Sequence, residues 1–121
     1  MRYPKLLGKF PLGFAPVKVF VTDSSGGEGF VRTNGKTPQI VVGLDEEAWS
    51  DVLAVALHEA FEVTAMQMGT HFEPTLDTCG DSGRYVFVMN HKQFSEACGR
   101  VGLLMASMTP ALAKAYKKFK A

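Results

Sequence analysis

The segment Leu57-His58-Glu59-Ala60-Phe61-Glu62 brings one imidazole and two carboxylates together. On a helix, His58 and Glu62 at i and i+4 project from one face about one turn apart and can hold one ion between them. Asp51 falls between them in angle two turns earlier, and the positions alongside, Ala54 and Ala65, are small. Val52, Leu53, Val55, Ala56, Leu57, Phe61, Val63 and Met66 surround this stripe, so the helix is expected to be packed on most sides with the stripe as the floor of a cleft. The same residues have a purely structural use as a core His58 tied to Glu62. A buried charge without a partner is costly, and their mutual hydrogen bond would be the cheapest remedy.

These groups need a helix to align them, and the local sequence supplies one. Asp45-Glu46-Glu47 places carboxylates at a helix start, and Ala48 to Met68 is almost free of breakers until Gly69 offers a C-terminal cap, giving about six turns. Before it, Val17 to Thr22, Phe30 to Thr33 and Gln39 to Gly43 read as short strands. They are separated by the turn material Asp23 to Gly29 and by Asn34-Gly35, a strong hairpin signal, so an antiparallel meander is expected. Residues 1–16, with Pro4, Pro11, Pro16, Gly8 and Gly13, read as an irregular arm whose Leu6, Leu7, Phe10, Leu12 and Phe14 dock on the core. After a loop at 70–84, Arg84 to Met89 is a fourth strand. Asn90 and Gln93 form a capping box for a second long helix, and Thr109-Pro110 ends it and opens a short basic helix over 110–121. The fold class is α+β: one domain over 1–121, with a small antiparallel or mixed sheet of about four strands packed against two long helices and a short C-terminal helix.

Composition excludes several classes. With 121 residues, 46% apolar and 21% charged, the chain suits one globular domain and is not disordered. A net charge of +1 gives no overall field for nucleic acid or anionic lipid, and the longest apolar runs are far too short for a membrane span. Met1 to Lys5 leads into Pro and Gly rather than the apolar stretch of a signal peptide, so a cytoplasmic protein is expected, with Cys79 and Cys98 as reduced thiols. The charge is segregated. From Thr37 to Gly83 there is no Lys or Arg but nine carboxylates, flanked by basic ends. Either the flanks fold back to neutralise this centre, or the centre holds a cation.

His58-Glu59-x-x-Glu62, on a helix following a strand, resembles the active-site segment of the zincin metallopeptidases, whose motif is His-Glu-x-x-His. The resemblance covers Gln39 to His71 and, loosely, the element order of small zincin-like folds. It implies His58 as a zinc ligand, Glu59 as the general base for a metal-bound water and Glu62 as a carboxylate in the second ligand position. Two carboxylates and one imidazole make bound water less acidic than a His-rich set does, which weighs on catalysis more than on binding. The third ligand is expected to be His71, which follows a Gly as in the longer zincin motif, with His91 as the alternative and Glu73, Asp77 and Cys79 behind them. The short chain ending Ser107-Met108-Thr109-Pro110-Ala111-Leu112-Ala113-Lys114 is also similar to small phage or prophage proteins, which would place it in a host cytoplasm.

Other patterns are weaker. Gly80-Asp81-Ser82-Gly83 mimics a chymotrypsin-like nucleophile segment, but the length rejects that two-barrel fold. No activating neighbour is visible for Cys79. Gly99-x-x-Gly102 suggests close helix packing, and Lys114, Lys117, Lys118 and Lys120 with Tyr116 and Phe119 suggest a solvated basic face rather than a nucleic-acid site. The expected function is a compact zincin-like domain, non-catalytic or degenerate, that binds another protein. The alternative is a zinc-dependent hydrolase acting on a peptide substrate.

Overall fold

The structure is a computed structural model that describes residues 2–13, 15–30, 37–72 and 86–121. Strands β1 (Lys5–Leu12) and β2 (Ala15–Thr22) form an antiparallel hairpin. Gly13 turns it in the left-handed region at φ 61°, where a side chain would also run into Arg100. The alternation in β2 points Val17, Val19 and Val21 inward, each almost fully buried. Strand β4 (Gln39–Gly43) lies parallel to β2, with Val19 beside Ile40 and Val21 beside Val42, and β3 (Gly27–Phe30) runs antiparallel along its other side. The sheet order is β1-β2-β4-β3.

This corrects the meander. The apolar run Ile40-Val41-Val42 takes the interior place and the glycine-bearing β3 takes the edge, so β2 and β3 are never partners. The expected strands at 17–22 and 39–43 thus lie in the sheet; of the one expected at Phe30–Thr33 only Phe30, the last residue of β3, is described, and Asn34-Gly35 also lies outside the described residues. The remaining sheet member comes from the supposed arm. Its prolines are compatible with a strand because β1 is an edge, where a missing N–H costs little, and Pro11 stands opposite Pro16. Leu12 is buried and Leu7 and Phe10 pack on the core, while Leu6 stays exposed. Of the expected strand at 84–89, residues 84–85 lie outside the described residues and Val86–Phe87 form β6, paired with β5 (His71–Phe72) in a separate two-stranded ribbon.

Helix α1 (Trp49–Met68) starts after Ala48, whose N–H donates to the Asp51 carboxylate, and ends at Gly69 with φ 71°. The acidic triplet lies just ahead of it rather than in its first turn, and Glu46 accepts from the Gly26 N–H at 2.9 Å. Helix α2 (His91–Lys120) opens on the expected capping box, with Gln93 N–H donating to Asn90 at 2.8 Å and Asn90 N–H to Gln93 at 3.0 Å. It does not stop at Pro110. A single helix of 30 residues runs to Lys120, so the separate C-terminal helix is corrected. The reason is the buried row Ala97, Val101, Leu104, Met108 and Leu112, whose spacing carries the helix past Pro110, and Pro110 itself faces solvent. From Val101 to Leu112 that row joins the inward residues of β2 and β4 and Val52, Ala56, Ala60 and Val63 of α1 in one core. α1 packs on β3 and β4, α2 on β1, and the helices on each other. Trp49 and Tyr116 stack at 5.8 Å, and the Tyr116 hydroxyl donates to the Glu46 carbonyl at 3.1 Å, fixing the start of α1 against the end of α2. Among the described residues, no helix is long and apolar enough to cross a membrane.

Candidate metal centre on the first helix

The core row of α1 decides the orientation of the site. Val52, Ala56, Glu59, Ala60 and Val63 follow helical spacing, so the inward residue of the motif is Glu59 rather than His58. The His58 side chain is 65% exposed, Glu62 17% and Glu59 7%. The expected cleft floor and the core His58 are both corrected: the imidazole stands outside, and only the carboxylate after it enters the interior. Asp51 does not join the stripe, because it caps the first turn.

His58, Glu59 and Glu62 nevertheless converge. Each offers a donor atom, and the three atoms lie within 4.8 Å of one another. His58 Nε2 is 3.0 Å from Glu62 Oε1 and 3.8 Å from Glu59 Oε1. An exposed His–Glu pair one turn apart contributes about 0.3–0.5 kcal/mol, while bringing a carboxylate into the interior costs about several kcal/mol before compensation. One imidazole nitrogen and two carboxylate oxygens fit a borderline divalent cation such as zinc.

The residues that hold Glu59 in place are on β3, and the sequence reading passed them over as turn material. Gly27 and Gly29 sit two apart on one strand, so both turn the same face towards α1. A Cβ at Gly29 would lie 2.8 Å from Glu59 Oε2 and 2.8 Å from Val63 Cγ2; one at Gly27 would lie 2.8 Å from Val55 Cγ1 and 3.1 Å from Glu59 Cγ. The helix can approach this strand only where side chains are absent. The Gly-x-Gly spacing was the available signal.

The further ligand candidates separate. His71 opens β5 just past the α1 cap, but its side chain lies outside the described residues, as do Glu73, Asp77, Cys79 and the Gly80 to Gly83 segment. His91 is the exposed first residue of α2 and does not belong to the donor cluster. At the far end of α2 the four lysines are exposed, while Tyr116 and Phe119 turn inward onto Trp49 and Tyr3. Between them, α1 and α2 leave an open apolar trough of about 530 Å³, lined by Leu53, Leu57, Met105, Ala106, Thr109 and Pro110. Compared with known proteins, the chain matches no family, no curated sequence and no solved structure.

Proposed function

We propose that the protein is a compact zincin-like domain that holds one divalent cation, zinc by donor type, through His58 and Glu62 with Glu59 beside them, and acts by binding another protein rather than by hydrolysis. The observation that carries this reading is the unequal exposure of the three donors. His58 and Glu62 are open enough to take an ion from solvent, whereas Glu59, the residue that would activate a water, is packed under Gly27 and Gly29 at 5% exposure. A general base has to reach both the water and the substrate, and this one is covered by backbone. The open apolar trough between α1 and α2 supports a protein partner, because an exposed apolar surface of this kind is suited to covering by another protein.

The hydrolase alternative draws on the same three converging donors, with Glu59 as base and a peptide laid along the edge strand β3. A peptide-hydrolysis assay on zinc-loaded protein separates the two. The expected result is no turnover above a Glu59→Gln control; zinc-dependent cleavage that Glu59→Gln abolishes would overturn the binding-module reading in favour of the peptidase.

A further inference from the structure

The solvent face of α2 is the least explained surface of the molecule. From Val101 to Ala113 the helix carries no charged residue, although half of its circumference faces water. Opposite the buried row, Gly99, Leu103, Ala106, Pro110 and Ala113 recur at alternating four- and three-residue spacing; all are exposed except the half-buried Ala113, and Leu103 is 55% exposed. Isolated exposed leucines are ordinary, but a continuous uncharged stripe at this spacing is the pattern of a helix seam. Among the described residues nothing fills it. A Cβ added at Gly99 or Gly102 would meet no atom within 4 Å, so the close helix packing expected of these glycines is not made by α1.

The charges at the ends of the stripe identify the occupant. The same spacing continues to Glu96 on one side and Lys117 on the other, both exposed. If a second α2 lies antiparallel about a two-fold axis at Ala106, Ala106 meets its own counterpart, Gly99 is level with Ala113, and Leu103 comes within one residue of level with Pro110. Glu96 then comes within one residue of level with Lys117 at both ends, in reach of its long side chain. Glu96 already pairs with Arg100 at 2.9 Å and is half exposed, which leaves its second oxygen for the opposing lysine. A parallel pairing would instead bring like charges together. We infer that the protein associates as a symmetric dimer through α2, with a second copy of this chain as the partner. Small residues at the centre let the helices approach closely, and the two-fold makes each contact twice. This extends the binding-module reading by naming the partner and does not depend on the cation.

Sedimentation analysis over a concentration series tests it, with circular dichroism to confirm folding. Wild type is expected to shift from monomer to dimer, and Leu103→Glu, at an exposed position, to raise the dissociation constant about tenfold or more. Lys117→Glu should weaken the dimer by opposing Glu96, and Glu96→Lys combined with Lys117→Glu should restore it. A wild type that stays monomeric at every concentration overturns the inference and leaves the face to a different protein or to a lipid surface. A dimer indifferent to Leu103→Glu overturns the choice of face, and one that ignores Lys117→Glu, or is not restored by the double exchange, overturns the antiparallel register. Peptide hydrolysis plays no part in these readouts, so failure here and failure of the non-catalytic reading are distinguishable.

Discussion

The two long helices depart from simple amphipathicity in opposite directions. α1 turns a carboxylate, Glu59, into its core row and leaves an imidazole outside; α2 keeps an uninterrupted apolar row inside and leaves a second uncharged stripe outside. Each departure carries a cost that the helix could have avoided by ordinary substitution. An inward Glu must be compensated, and an outward Leu103 gains little from water. The contrast teaches that a polar residue inside and an apolar residue outside ask for different partners: a cation or hydrogen-bond donors for the first, another protein surface for the second.

Several substitutions can break or sharpen this contrast. The largest effect is expected from the neighbouring leucines of α2. Leu104→Ala, fully buried, should cost about 2–5 kcal/mol in urea unfolding, whereas Leu103→Ala should cost less than about 0.5 kcal/mol in dilute protein. Equal losses would mean that the two faces of α2 are wrongly assigned. Next comes Gly29→Val, which drives branched carbons against Glu59 and Val63 and should cost about 1–3 kcal/mol; an unchanged midpoint would show that β3 and α1 are not in close contact. Asn90→Ala removes the cap of α2 and should cost about 1 kcal/mol by the same measurement. The smallest change in stability, below about 0.5 kcal/mol, is expected for Glu62→Ala, because the imidazole it pairs with is open to solvent. The same variant should lose bound zinc altogether, and a large loss of stability without loss of metal would turn the pair into a structural contact.

Much of this architecture was legible in the residues. The helix from Ala48 to Gly69, the Asn90-Gln93 box, and the strands at 17–22 and 39–43 follow from local rules that tertiary structure did not override. The strand order was not legible, because alternation tells which face of Val19 or Ile40 is buried but not which strand lies beside which. β1 was hidden by prolines that are forbidden only in the interior of a sheet, and the continuity of α2 by a Pro110 that tertiary burial of Met108 and Leu112 outweighs. At the candidate site, the i, i+4 spacing found the donors. Reading them as one polar stripe missed that Glu59 completes the apolar row at 52, 56, 60 and 63, and that Gly27 and Gly29 make room for it.

The central claim is that the α1 cluster is a cation site and not only a surface ion pair. Elemental analysis of chelator-stripped, zinc-reconstituted wild type beside His58→Ala, both verified as folded, tests it directly. The account predicts one equivalent of zinc in wild type and none in the variant. A folded wild type that takes up no zinc, or a His58→Ala protein that keeps it, would contradict the assignment.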